Sequence, residues 1–282
     1  MIERLLFFPM NMPFEEARIV IALVGTLIGV YFDVFNNRNI PNLYLYAFLA
    51  VALLSNVVFY DADVFIYAIL LAAIVFFAGF LLYRTGQLGG ADVFVLASIT
   101  LLLPISPSYI KIPFNFPFIF SVLLFGGVAF SVFAIGFFAK RLKGRKARPN
   151  FFYLILLIPY FLFAYIFISA PFFSPAYFFI ASILLLSTIF FLMFREPINE
   201  SMTERVLLRK TGDEEVLARE KMGETMKKLK IGPVLGQKER KALERAAVKH
   251  IWIYSQLPPF LPFVFVGMVL ALFFGDLLFP VF

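Results

Sequence analysis

The chain has 282 residues, 62% of them hydrophobic, with 40 phenylalanines and a formal net charge of +7; its mean hydropathy of +0.90 excludes an ordinary soluble domain. The absence of cysteine excludes disulfides, thiolate-bound zinc and a cysteine nucleophile. The one histidine, His250, lies in a polar stretch where a solvated imidazole is the expected role, so no metal site and no cofactor are expected.

A helix rising about 1.5 Å per residue needs roughly 20 apolar residues to cross the hydrocarbon of a bilayer. In chain order, such runs lie near 17–34, 43–60, 64–83, 91–107, 117–139, 151–170, 175–194 and 260–280. The first residues, "MIERLLFFPMNMPFEEAR", lack a cationic start, an apolar core and a small-residue cleavage site, so the first helix reads as a retained anchor. One substantial polar segment, 195–259, separates the seventh run from the eighth and predicts a small α+β domain. Within it "SMTE" (201–204) has the spacing of a helix start, and "QKERKALERAAVK" (237–249) is rich in helix formers. "HIWIY" (250–254) switches to β-branched and aromatic residues and predicts a strand. An alternative for 237–249 is an amphipathic helix on the inner leaflet, with Leu243 and Ala247 on its apolar side.

The basic residues sort by loop parity. "KRLKGRKARPN" (140–150) carries six Lys or Arg and the stretch from Arg195 to Lys249 fourteen more, while Arg38 and Arg84 occupy the two earlier loops of the same parity. The opposite loops hold "DAD" (61–63), Lys111 and "SAPFFSP" (169–175). By the positive-inside rule, the loops after helices 1, 3, 5 and 7 and the polar domain face the cytoplasm and both termini face out. The positive charge is thus a topology signal and no nucleic-acid partner is expected.

Asp33 and Asp92 are the acidic residues at the cytoplasmic ends of the predicted spans. Helices 2 and 3 make one hairpin between them, and two crossings return the chain to the same face. Asp92 near a helix start has an ordinary role open to it, that of complementing the positive end of the dipole. Asp33, near a helix C-terminus, meets carbonyl ends that disfavour an anion, and ionisable groups at membrane depth are functional candidates. Two carboxyls a few ångströms apart hold one proton between them, which suits peptide hydrolysis. The ionised partner takes a proton from the attacking water, and the protonated one donates to the scissile carbonyl. Gly89 and Gly90 before Asp92 allow a tight turn or close approach to a substrate strand. Asp61, Asp63 and Asp276 fall on the outward side and serve as controls.

At these residues the chain resembles a known family. The Asp33 region with "NRNIPN" (37–42) and the "GGAD" of 89–92 are similar to the two signatures of the type IV prepilin peptidases, membrane aspartyl proteases of the G-x-G-D class. The archaeal preflagellin (prearchaellin) peptidases are the branch it resembles most. The resemblance implies that Asp33 and Asp92 are the catalytic pair, with Gly89, Gly90 and Ala91 as the active-site loop. Ala91 replaces the motif's second glycine, and Phe94 stands where many bacterial members carry a lysine. "HIWIYSQLPPFLPFVFVGMVLALFFGDLL" (250–278) is similar to the C-terminal section of archaeal members, and coverage is weakest at 110–194. Archaeal members are described with six spans, so the expected fold is an all-α polytopic membrane protein of six to eight transmembrane helices, with a small cytoplasmic α+β domain before the last helix.

The expected division is a catalytic transmembrane core at 1–109, further transmembrane helices at 110–194, the cytoplasmic domain at 195–259 and a C-terminal transmembrane helix at 260–282. The expected activity is removal of short basic leaders from archaellin-like or type IV pilin-like precursors, the protein partners, at the cytoplasmic face of the cell membrane. The lack of cysteine argues against the methyltransferase activity of bacterial members. Two alternatives compete. One is an intramembrane protease of the presenilin or signal-peptide-peptidase kind, whose Pro-Ala-Leu signature is absent. The other is an ion-coupled transporter using the Asp pair.

Overall fold

A computed structural model describes residues 10–36, 39–110, 115–143, 148–170, 174–211, 215–254 and 258–275. Asn37, Arg38, Lys111, Asp213, Glu214 and Asp276 lie outside the described residues. The described chain is mostly helical. Each of the eight predicted apolar runs carries a helix: α1 Glu15–Phe35, α2 Asn42–Val58, α3 Ala62–Arg84, α4 Gly90–Leu102, α5 Phe118–Leu142, a 3-10 turn Phe151–Leu156 continuing as α6 Leu157–Ile168, α7 Pro175–Met193 and, last among the described residues, α11 Leu261–Phe274. Five of these segments, α1, α3, α5, the continuous 151–168 helix and α7, are long and apolar enough to cross a membrane, so the chain reads as a multi-pass membrane protein.

The other three helices are shorter, and α4 departs most from expectation. The run 91–107 predicts a full span, yet the helix stops at Leu102. Pro104 is the reason. It disfavours helical geometry in the residue before it, and Leu103 leaves the helix at φ −125° and ψ 70°. Despite its length α4 is the central helix, with Val93 and every residue from Val95 to Leu102 buried. It is surrounded by α1, α2, α3 and α5, while α11 packs along α5 and against α1. The main core joins Ala22, Phe48, Ile99, Leu102, Phe118, Val122, Leu261 and Met268 from these helices.

The buried face of α1 is a single stripe, Arg18, Ala22, Gly25, Thr26, Gly29 and Asp33, at helical spacing. A Cβ on Gly29 would stand 3.2 Å from both Leu261 and the Tyr44 hydroxyl, so this stripe is where α1 lies close against α2 and α11. Gly126 and Gly267 do the same for α5 and α11. A Cβ on Gly267 would fall 2.2 Å from the Val122 carbonyl and 2.6 Å from the Gly126 nitrogen.

The polar segment forms an α+β module: α8 Arg195–Met202, β1 Thr203–Leu207, β2 Glu215–Val216, α9 Arg219–Leu229, β3 Val234–Leu235, α10 Gln237–Arg245 and β4 His250–Tyr254. β1 and β4 pair antiparallel from Thr203↔Tyr254 to Leu207↔His250, and β2 pairs antiparallel with β3. A bridge from Leu217 to Ile253 joins the two ribbons. The predicted strand at 250–254 is β4, with Ile251 and Ile253 turned into the module core and His250 exposed.

Two local expectations in the module are corrected. "SMTE" does not start a helix: Ser201 closes α8, donating its hydroxyl to the Ile198 carbonyl at 2.7 Å, and β1 begins at Thr203. The helix predicted to reach Lys249 ends at Arg245, because Val248 N–H bonds to Leu243 O at 3.0 Å and Ala247 N–H to Glu244 O at 2.9 Å around a left-handed Ala247. Leu243 is fully buried in the module core and Ala247 lies beyond the helix, so the apolar side foreseen for membrane contact is occupied internally.

The module is fixed to the helices through α8. Ile198 and Met202 pack against Phe138 and Leu142 at the end of α5. Glu220 of α9 ties the pieces together, accepting from Asn199 Nδ2 at 2.7 Å and from the Tyr254 hydroxyl.

Candidate active site

Asp33 lies in the last turn of α1 and is 7% exposed. Nothing in its own helix can cap it there, since the free groups at a helix C-terminus are carbonyls. One partner comes from far along the chain. Asp33 Oδ2 accepts the backbone N–H of Leu261 at 3.1 Å, the first residue of α11. A carboxylate that its own helix disfavours is therefore held by the positive end of another helix.

Asp92 is the third residue of α4 and is half-buried. Its Oδ2 accepts the N–H of Gly89 at 3.1 Å, the reciprocal half of a capping box. The turn that delivers it begins where α3 ends. Gly86 N–H bonds to Tyr83 O at 2.8 Å and Gln87 N–H to Leu82 O at 3.0 Å, around Gly86 at φ 74°. The tight turn foreseen at Gly89 and Gly90 is thus made at Gly86. Gly89 has an ordinary φ of −72° and a different reason to lack a side chain: a Cβ there would stand 2.8 Å from Asp92 Oδ2. Ala91 and Phe94 pack against the main core, and Phe94 makes edge contacts with Tyr46 and Phe76.

The end of α1 and the start of α4 bring Asp33 and Asp92 close enough to interact electrostatically. Each also has a structural task, one at the N-terminus of α11 and the other at that of α4. The control acid Asp61 is placed differently: at the other end of the 23-residue α3, its Oδ1 accepts Val64 N–H at 3.0 Å as an N-cap. Among the described residues, no three His, Asp or Glu side chains gather where a metal ion could be held.

One buried charge was missed by sequence reasoning. Arg18, at the opposite end of the α1 stripe from Asp33, is fully buried. Its guanidinium donates to Pro13 O at 3.0 Å, Asn56 Oδ1 at 2.9 Å, Phe59 O at 3.1 Å and, more weakly, Leu102 O at 3.5 Å. Asn56 Nδ2 in turn donates to Leu101 O at 2.8 Å. Arg18 and Asn56 thus satisfy the carbonyl ends of α2 and of the truncated α4, which sit where water is scarce. The available signal was an arginine inside an apolar run.

No family model matches the chain, and no curated protein and no solved structure matches it either.

Proposed function

We propose that this protein is a membrane aspartyl endopeptidase that removes short basic leader peptides from archaellin-like or type IV pilin-like precursors at the cytoplasmic membrane face. The observation that carries the reading is the electrostatic interaction of Asp33 and Asp92, at the end of α1 and the start of α4, two helices packed on one another. In the proposed reaction such a pair shares a proton. The ionised one draws a proton from water as it attacks the scissile carbonyl, and the protonated one donates to the carbonyl oxygen and then assists the departing amine. Side-chain carboxyls supply both roles, with neither thiol nor histidine. The site lies at helix ends, which suits a precursor whose apolar helix stays in the bilayer while its leader lies among the headgroups.

Orientation rests on charge. The basic 140–150 loop and the module carry twenty of the 25 Lys and Arg, and both lie on the side of the chain's path that holds Asp33 and Asp92, which the positive-inside rule assigns to the cytoplasm. A small residue such as Gly or Ala is expected before the cut, because a strand must thread between the two carboxyls.

The test is incubation of the purified full-length chain in detergent with a synthetic precursor bearing a basic leader, a small residue and an apolar helix, with products read by mass spectrometry. Cleavage after the small residue, retained with chelator and alkylating agent and lost when that residue is enlarged to Phe, supports the reading. No cleavage, together with Asp33-dependent proton or cation flux in reconstituted vesicles, would replace it with the transporter.

A further inference from the structure

We propose that the polar module is the gauge that sets the spacing of Asp33 and Asp92, with Val216 and Gly86 as the positioning contact; this rests on the peptidase reading above. The module stands against the turn that supports Asp92 and against α5, on which the helix that supports Asp33 is packed. On the Asp92 side, the β2–β3 ribbon stands against the α3–α4 turn: a Cβ on Gly86 would lie 3.1 Å from Val216 Cγ1 and 3.7 Å from Pro233. Three residues beyond Gly86 is Gly89, whose N–H holds Asp92 Oδ2. On the Asp33 side, Tyr254 of β4 packs with Phe138 and Leu142 of α5, along which α11 lies, and Leu261 at the start of α11 holds Asp33 Oδ2 through its N–H.

The two sides are joined inside the module. Leu217, next to Val216, is fully buried and bridges to Ile253 of β4. Leu217 N–H bonds to Pro233 O at 2.7 Å, and Ala218 N–H to Trp252 O at 2.8 Å. The strand that stands against the turn of one carboxylate is therefore hydrogen-bonded to the strand that packs on α5, the helix along which α11 and its hold on the other carboxylate lie. The joint is close-packed around Leu217, Leu235, Leu243 and Ile251, so it transmits displacement rather than absorbing it. The Gly86 turn has its own helix-terminating hydrogen bonds, which fix its shape, so the contact with Val216 bears on where the turn stands rather than on how it is folded.

A gauge predicts a loss of turnover that a compensating change restores. Gly86→Asn tolerates the left-handed backbone but places a Cβ against Val216. We expect kcat to fall by about 10-fold or more with KM changed by less than about twofold, because reacting groups are displaced while the bound precursor's contacts remain. Gly86→Asn combined with Val216→Ala, which clears the space, should recover kcat to within about threefold of the parent chain. Undiminished kcat in Gly86→Asn, or no recovery in the double variant, overturns the proposal. If Gly86→Asn does not accumulate, Val216→Ala alone decides: it cannot clash, and a kcat lowered about two- to fivefold at unchanged KM supports the gauge, whereas parental kinetics sink it. The parent chain separates the two levels. If it does not cut the precursor, both readings fall; if it cuts and these variants behave as the parent, the gauge alone fails.

Discussion

Asp33 and Leu261, 228 positions apart in sequence, are joined by one buried hydrogen bond from the Leu261 amide to the Asp33 carboxylate at 3.1 Å. The proposed catalytic acid therefore also seats the last helix, and two substitutions separate these tasks. Asp33→Asn keeps an oxygen to accept the amide but cannot exchange the proton; it should abolish cleavage while leaving the thermal midpoint in detergent nearly unchanged. Asp33→Leu loses the acceptor as well and should cost about 1–3 kcal/mol of stability in addition. Cleavage by Asp33→Asn at near-parental rate would remove the dyad.

Asp92→Asn should be equally inactive, and the double variant with Asp33→Asn no worse than either single one, because a pair that acts as a unit is not additive. Asp61→Asn, which can still cap α3 at the far end, should cut at the parental rate. The assay is precursor turnover normalised to the amount of folded protein.

Gly89→Ala tests the clearance that Asp92 needs. Its methyl group would stand 2.8 Å from Asp92 Oδ2 and must push the carboxylate from its place. A displacement approaching 1 Å should lower kcat by about 100-fold. Protein level should hold, since the backbone there is ordinary at φ −72°.

Gly267→Ala should be felt at the site from within the bundle. The added methyl group meets the Val122 carbonyl at 2.2 Å and forces α11 away from α5, at about 1–3 kcal/mol for overpacking. As α11 moves, Leu261 moves with it, so the melting temperature and kcat should fall together. Gly127→Ala, whose Cβ would have nothing within 4 Å, is the matched control and should change neither.

Arg18→Met leaves the carbonyls of Pro13 and Phe59 and the Asn56 side chain without their donor, and should destabilise the protein by about 3 kcal/mol or more. Arg18→Lys retains the charge but not the fork and should recover part of this. Arg18 and Asp33 are separated by about 22 Å along α1, from a rise of about 1.5 Å per residue. The folded fraction of either variant should therefore keep kcat within about twofold, read by activity per folded molecule.

The apolar runs were legible because length and hydropathy alone define them, and parity alone was enough to put Asp33 and Asp92 on one side. β4 was legible from its composition, since "HIWIY" is both β-branched and aromatic. What escaped depended on partners distant in sequence. No local pattern tells Asp33 that Leu261 will meet it, or Gly86 that Val216 will. The end of α4 was readable after all: Pro104 was in view, but the count of apolar residues outweighed it. α10 was overextended because an alanine took the left-handed position where glycine is the usual mark.

The shortness of α11 has a consequence for the surrounding lipid. At about 1.5 Å per residue, its 14 residues make a rod of about 21 Å, against about 37 Å for the 25-residue α5 beside it and about 30 Å for bilayer hydrocarbon. Such hydrophobic mismatch is relieved by thinning of the bilayer around the short helix, which exposes Val266, Phe273 and Phe274. In the proposed reaction, a substrate helix arriving beside α11 would enter this dimple with more of its length than the thinned hydrocarbon can cover. The surplus turn, stripped of lipid, would fray into water at the level of Asp33 and Asp92, and an extended strand is the form in which a peptide bond can be cut.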